Sequence, residues 1–222
     1  MVITPTSLEK YDSPQLGRQK YQAPRATPPP ALDNFELFVQ SETFSEALER
    51  FEELTYSCQQ NFGIELIYEL RKTIKNWKGV QLLDQLIKKS ENAVYFPSRR
   101  AAHAIKKGAR VAKGQNCLIV GAGPCGLRTA IEMAFMGAHV IMVDSRMEFS
   151  RNNVLHLWPF CISDLKSLGA KSFYGKFCSG AIDHCSIRRL QLLLLKVCLL
   201  LGLRYTKVDH RLYMIMPYAW LI

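Results

Sequence analysis

The stretch CLIVGAGPCGLRTAIEMAFMGAHVIMVDSR, Cys117 to Arg146, decides how the chain is read. An apolar run enters three glycines spaced Gly-x-Gly-x-x-Gly, at Gly121, Gly123 and Gly126. A small-residue helical segment, a second apolar run and an acid, Asp144, follow. Three glycines alone are weak evidence, but here they leave a strand, open a helix and are trailed by an acid 23 residues after the first. In such a β-α-β unit the first glycine permits a tight turn and the second lets backbone approach a pyrophosphate. The third lets helix and strand pack closely. The helix N-terminus offers unpaired amides and the positive end of its dipole to phosphate oxygens. Asp144 is placed to accept hydrogen bonds from ribose hydroxyls, and its charge repels a 2′-phosphate. FAD and NAD therefore remain as ligands of this loop, and NADP does not.

Outward from this unit the chain changes character. Residues 1–34 hold Pro5, Pro14, Pro24, Pro28, Pro29 and Pro30 of the ten prolines and few apolar residues. That composition predicts a disordered leader, because it buries too little surface to offset ordering entropy. Residues 35–113 read as helical: Phe44, Leu48, Phe51, Leu54 and Cys58 recur at steps of three and four. Thr43 with Glu46 reads as a capping box at the start of that stripe. IELIYELRKTI, VQLLDQLIKK and SRRAAHAIKKGARVAK predict further helical pieces, broken at 76–79 and at Pro97. Residues 114–208 carry the β-α-β unit (strands 117–120 and 139–143, helix 124–136), a less regular middle, a helix near 186–201 and a third strand in LRYTKV. No internal repeat is visible.

Composition excludes several classes. The run LQLLLLKVCLLLGL (190–203) is shorter than the about 20 residues that span a bilayer and has Lys196 in its middle, so a buried helix is expected. The first twenty residues lack the basic start and apolar core of a signal peptide. Seven cysteines, an odd number with no Cys-x-x-Cys pair, suit a reducing cytoplasm and argue against disulfides. No metal is expected either, His184, Cys185 and Cys178 being the weak exception. The net charge of +10 is concentrated where acids are absent: from Asn92 to Ile131 lie Arg99, Arg100, Lys106, Lys107, Arg110, Lys113 and Arg128. Two readings stand, a solvated helix face or a docking surface for a polyanion. No aromatic residues interleave these charges in the manner of a nucleic-acid binder, so no nucleic-acid partner is expected.

GAGPCGLRTAIEMAFMGAHVIMVDSRMEFSRNNVLHLWPF (121–160) followed by LGAKSFYGKFCSGAIDHCSIRRLQLLLLKVCLLLG (168–202) resembles the flavoprotein monooxygenase domain of the MICAL family. The likeness runs from about Phe35 to Val208, and FSRNNVLHLWPF and SFYGKFC are its most specific motifs. The resemblance implies an α/β, Rossmann-like FAD-binding β-α-β core of the p-hydroxybenzoate hydroxylase kind, here incomplete, preceded by a helical segment. It implies FAD as cofactor, NADPH as reductant and F-actin as partner. The implied activity is methionine oxidation on actin that disassembles filaments, by a cytoplasmic, cytoskeleton-associated enzyme.

By resemblance, FAD contacts fall on Cys125, on Asp144, Ser145 and Arg146, and on Arg151, Asn152 and Asn153. The family usually has Glu-Lys-Arg where this chain has Asp-Ser-Arg, which shortens the acid and removes one positive charge. No catalytic residue is assigned. His156 and Trp158 either line the cofactor or pack. The likeness stops near Val208, and DHRLYMIMPYAWLI (209–222) is a divergent tail, as expected of a truncated isoform or fragment. Such a chain could instead be a catalytically incomplete module that binds actin or another partner.

Overall fold

The structure, a computed structural model, describes residues 31–58, 62–92, 112–178 and 184–208. Four helices come first: α1 (Ala31–Gln40), α2 (Phe44–Ser57), α3 (Ile64–Thr73) and α4 (Trp77–Asn92). The expected stripe on α2 faces inward, with Phe44, Phe51, Leu54 and the terminal Cys58 buried. Thr43 caps it by accepting the Glu46 N–H at 3.2 Å, while the Glu46 carboxylate accepts the N–H of Glu42 at 2.9 Å. The reciprocal bond of the box thus reaches one residue further back than expected.

Two boundaries differ from the sequence reading. Helix α1 starts at Ala31, inside the stretch read as leader, and buries Asn34, Phe35 and Phe38. An apolar stripe at helical spacing prevails there over the neighbouring proline-rich composition. Residues 1–30, the rest of that leader, lie outside the described residues. Gly79 does not break the chain but sits in the first turn of α4. A Cβ on it would meet Ile74 Cγ2 at 2.9 Å and the Phe35 ring at 3.2 Å, so close packing is its reason for being glycine.

The second half begins with β1 (Asn116–Val120), α5 (Pro124–Phe135) and β2 (His139–Asp144). It continues with β3 (Val154–His156), α6 (Pro159–Ser167), α7 (Ala170–Phe173), β4 (His184–Ser186), α8 (Ile187–Leu200) and β5 (Arg204–Lys207). Strands β1, β2 and β5 form a parallel sheet with β2 central, in register Leu118 to Ile141 to Arg204. Parallel neighbours need crossover connections, and α5 supplies the first. β3 pairs antiparallel with β4, Leu155 opposite Cys185. This small sheet and helices α6 and α7 occupy the middle that sequence left irregular, since three-residue strands carry no period to detect.

Side chains alternate across the parallel sheet. Cys117, Ile119, Val140 and Met142 join the core with residues of α5 and α8, Met142 being fully buried. On the opposite face Leu118, Val120 and Ile141 are 38%, 50% and 37% exposed.

Helix α8 is buried from Leu190 to Leu200 without interruption. It packs on α5 on one side and on α2 and α3 on the other. Its Lys196 is fully buried, and its ammonium donates to the carbonyls of Val39 at 2.8 Å and Ser41 at 2.7 Å, at the end of α1. The rings of Phe173 and Tyr174 lie 5.5 Å and 5.3 Å from the same nitrogen. Among the described residues no helix is long and apolar enough to cross a membrane.

Burial pulls the Lys196 amine from 10.5 down to about 8, against the opposing pull of Glu46 and Glu42. Between those pH values the unfolded chain holds a proton that the folded chain has released. Stability therefore rises with pH across that window. In urea denaturation the parent should gain stability from about pH 8 to 10.5 relative to Lys196→Met. A pH-independent difference between the two would show that the amine is not desolvated.

Candidate functional site

The glycine loop is built from three different constraints. Gly121 turns the chain out of β1 with φ of 98°, a region costly for any side chain, and its N–H donates to Val143 O at 2.8 Å. Gly126 lies where the helix crosses the turn: a Cβ there would overlap the Gly121 carbonyl oxygen. Gly123 has an ordinary extended conformation, and a Cβ on it would meet nothing within 4 Å. Its lack of a side chain answers to no neighbour in the protein, and leaves a cradle that a side chain would fill. Gly123 is also the N-cap of α5, with no side-chain cap, and Pro124 at the first helical position has no N–H to offer. The first-turn amides of a helix left in this state, together with its dipole, attract anions.

Asp144 ends β2 beneath this loop and is 4% exposed. One of its oxygens accepts the Ala122 N–H at 2.6 Å, and the other accepts the Arg146 N–H at 2.9 Å. The Arg146 guanidinium stands 3.5 Å from that second oxygen. A carboxylate has about four acceptor positions, so capacity for a further donor remains. Its first engagement, however, is with the protein's own backbone. The Ala122 carbonyl is held as well, by the side-chain amide of Gln191 on α8 at 2.9 Å. Tyr205 of β5 donates its hydroxyl to the Arg146 carbonyl at 2.6 Å and so steadies the turn after β2.

Beside the loop opens a groove of about 400 Å³, counted with its mouth. Gly123, Asp144, Arg146 and Arg151 meet there, joined by Gln191 and Tyr205. Gly121 and Gly126 shape the loop, and Cys125 is exposed in the first turn of α5. Ser145 lies in the turn after Asp144. Asn152 accepts from the Arg188 guanidinium, and the Asn153 carbonyl accepts the Ile187 N–H at 2.9 Å. Those two asparagines thus join the β3 approach to the start of α8. His156 stacks on His184 across the small sheet, with ring centroids 5.4 Å apart, and Trp158 is 71% exposed. Neither is among the groove's lining residues.

Of the acid-free basic stretch, Arg99, Arg100, Lys106, Lys107 and Arg110 lie outside the described residues, and Lys113 is exposed. Arg128 does not belong to a free basic face. Its guanidinium binds Asp164 of α6 at 2.8 Å and Glu132 at 2.8 Å, and tethers α5 to α6. Sequence reading missed Gln191 and Tyr205. For Gln191 a signal existed: an uncharged amide inside an otherwise apolar run has to find a partner.

No protein-family model matches the chain. It is 50% identical over 171 residues to protein-methionine sulfoxide oxidase mical3a of Danio rerio, which covers 76% of this chain and 8% of that protein. It is 45% identical over 175 residues to [F-actin]-monooxygenase MICAL1 of Mus musculus, covering 78% of this chain and 16% of the relative. To [F-actin]-monooxygenase MICAL3 of Homo sapiens it is 46% identical over 176 residues, covering 78% of this chain and 8% of the relative.

The loop geometry makes a sharp contrast between two glycines. Gly126→Ala forces the turn and helix apart and should cost about 1–3 kcal/mol, the usual range for overpacking. Gly123→Ala, whose new methyl enters open space, should leave stability within about 0.5 kcal/mol of the parent. Urea denaturation of both variants checks this, and equal stabilities would contradict the loop as described.

Proposed function

The chain is MICAL-like over 76–78% of its length, and on that premise we propose that residues 114–208 hold the ADP end of FAD in a monooxygenase of that kind. The observation that carries the reading is the open cradle at Gly123 above an uncapped α5, within a chain 45–46% identical over its matched residues to proteins named as monooxygenases. In this proposal the loop amides and the α5 N-terminus receive the pyrophosphate. Arg146 and Arg151 offset its charge, and Asp144 accepts from the ribose with the capacity its backbone bonds leave. Cys125, Ser145, Asn152 and Asn153 are the further FAD-contacting positions. An arginine fork suits a diphosphate better than a lysine would, because it can present paired donors.

The arrangement is compatible with a p-hydroxybenzoate hydroxylase-like core: strand, glycine turn, helix and strand in the parallel order expected, with helices α2 and α3 packed against α8. FAD, reduced by NADPH, would supply the oxygen chemistry, and the protein would supply binding, orientation and access. The relatives' names give F-actin and protein methionine as targets. For this chain the proposed activity is accordingly methionine oxidation on actin, at the cytoskeleton.

Titration of flavin fluorescence tests the first step. FAD should be bound at most weakly by these 222 residues, saturably and in competition with ADP, because the contacts assigned here are to the ADP end alone. Gly123→Val, which fills the cradle, should abolish binding. Asp144→Ala should weaken it by about 1–3 kcal/mol, the cost of leaving buried donors without their acceptor. Equal FAD affinity for the parent and both variants would remove the loop as the site, and absence of any saturable FAD or ADP binding would remove the reading.

A further inference from the structure

We infer that Gln191 is a positioning residue for the pyrophosphate-binding loop, one that fixes which way the peptide between Ala122 and Gly123 faces; this rests on the dinucleotide reading of the site. Ala122, 1% exposed, is held on both of its backbone polar groups by side chains from two other elements. Asp144 of β2 takes its N–H and Gln191 of α8 takes its carbonyl. The carbonyl can only accept, so the Gln191 amide must present its NH2 to it, which leaves no ambiguity in the amide's orientation.

The peptide that carries the Ala122 carbonyl also carries the Gly123 N–H. In a planar trans peptide these two groups point in opposite directions. Holding the carbonyl against α8 therefore fixes the direction of the Gly123 donor. Gly123, free in φ, makes rotation of this peptide sterically easy, and a rotated peptide would exchange a donor for an acceptor oxygen beside the groove. An oxygen there repels a phosphate that an N–H would attract. Without the Gln191 bond, ligand binding would itself have to order the loop, and the entropy lost on ordering it would weaken binding.

The location of Gln191 argues for the same role. It is buried in a helix whose neighbours from Leu192 to Leu195 are all leucine, where an unbonded amide is costly and leucine would pack well. What the amide does there that leucine cannot is hold Ala122. Its neighbour on the groove wall, Ile187, has no group for that task.

The test uses the full chain and two variants, Gln191→Met, apolar and of similar length, and Gln191→Glu, whose carboxylate cannot donate. ADP and adenosine are titrated against each, and exchange of the Gly123 and Cys125 amides is followed in the ligand-free protein. We expect ADP affinity to fall about tenfold in Gln191→Met with adenosine affinity unchanged, and the loop amides to exchange faster. A general loss of structure would lower both affinities together, and that result, or unchanged ADP binding, overturns the inference. Should Gln191→Met fail to fold, Gln191→Glu is judged by the same criteria. Should the parent bind neither ADP nor adenosine, the dinucleotide reading falls, and the exchange rates alone judge the clamp: unchanged rates in the variants overturn it.

Discussion

The ammonium of Lys196, set between the carbonyls of Val39 and Ser41, ties the helices of the first half of the chain to the layer built by the second. It sits on α8, the helix buried on every side, between the sheet layer and the helices of the first half. The same helix contributes Gln191 to the glycine loop. Five residues separate the two, or about 140° around a helix at 3.6 residues per turn. One polar group therefore faces the helical layer while the other faces the groove. A helix of leucine alone would bury as much surface, yet it would leave both the end of α1 and the Ala122 carbonyl without donors.

The sheet is covered unequally. Parallel strands with near-continuous apolar sequences usually lie between two layers. Here α5 and α8 cover one face, and among the described residues Leu118, Val120 and Ile141 keep substantial exposure on the other. Among the described strand residues on that face, Val143 of the central strand is buried. The groove lies at the carboxyl ends of β1 and β2, where loops converge, which is where ligands bind in open α/β sheets. The site thus depends on the covered face, through α5 and α8, and on the turn after β2.

Asp144 illustrates how one residue serves both fold and site. From its position at the end of the second strand, sequence reading expects an acid for a ribose. The geometry engages it first with the Ala122 and Arg146 amides, under the loop. A carboxylate on a single methylene stays close to its own backbone, and this suits a clamp. Arg128 shows the opposite case: a charge that looked free in a stretch without acids is matched by Glu132 on the next helical turn and by Asp164, which is 36 residues away.

By itself the sequence determined the strand–turn–helix–strand unit, because period-two and period-3.6 patterns and glycine spacing are local properties of the chain. It also determined α8 and β5, whose apolar run and following strand are long enough to read. Thr43 and the α2 stripe were legible for the same reason. The start of α1 was obscured by the neighbouring prolines, and the small sheet by strands of three residues. Only the tertiary structure decided that Gln191, 69 positions from Ala122, would hold the loop, and that Lys196 would hold the end of α1, 155 positions from Ser41. Those pairings arise from how α8 is oriented between its neighbours. Orientation is set by packing the whole core, so no local pattern records it.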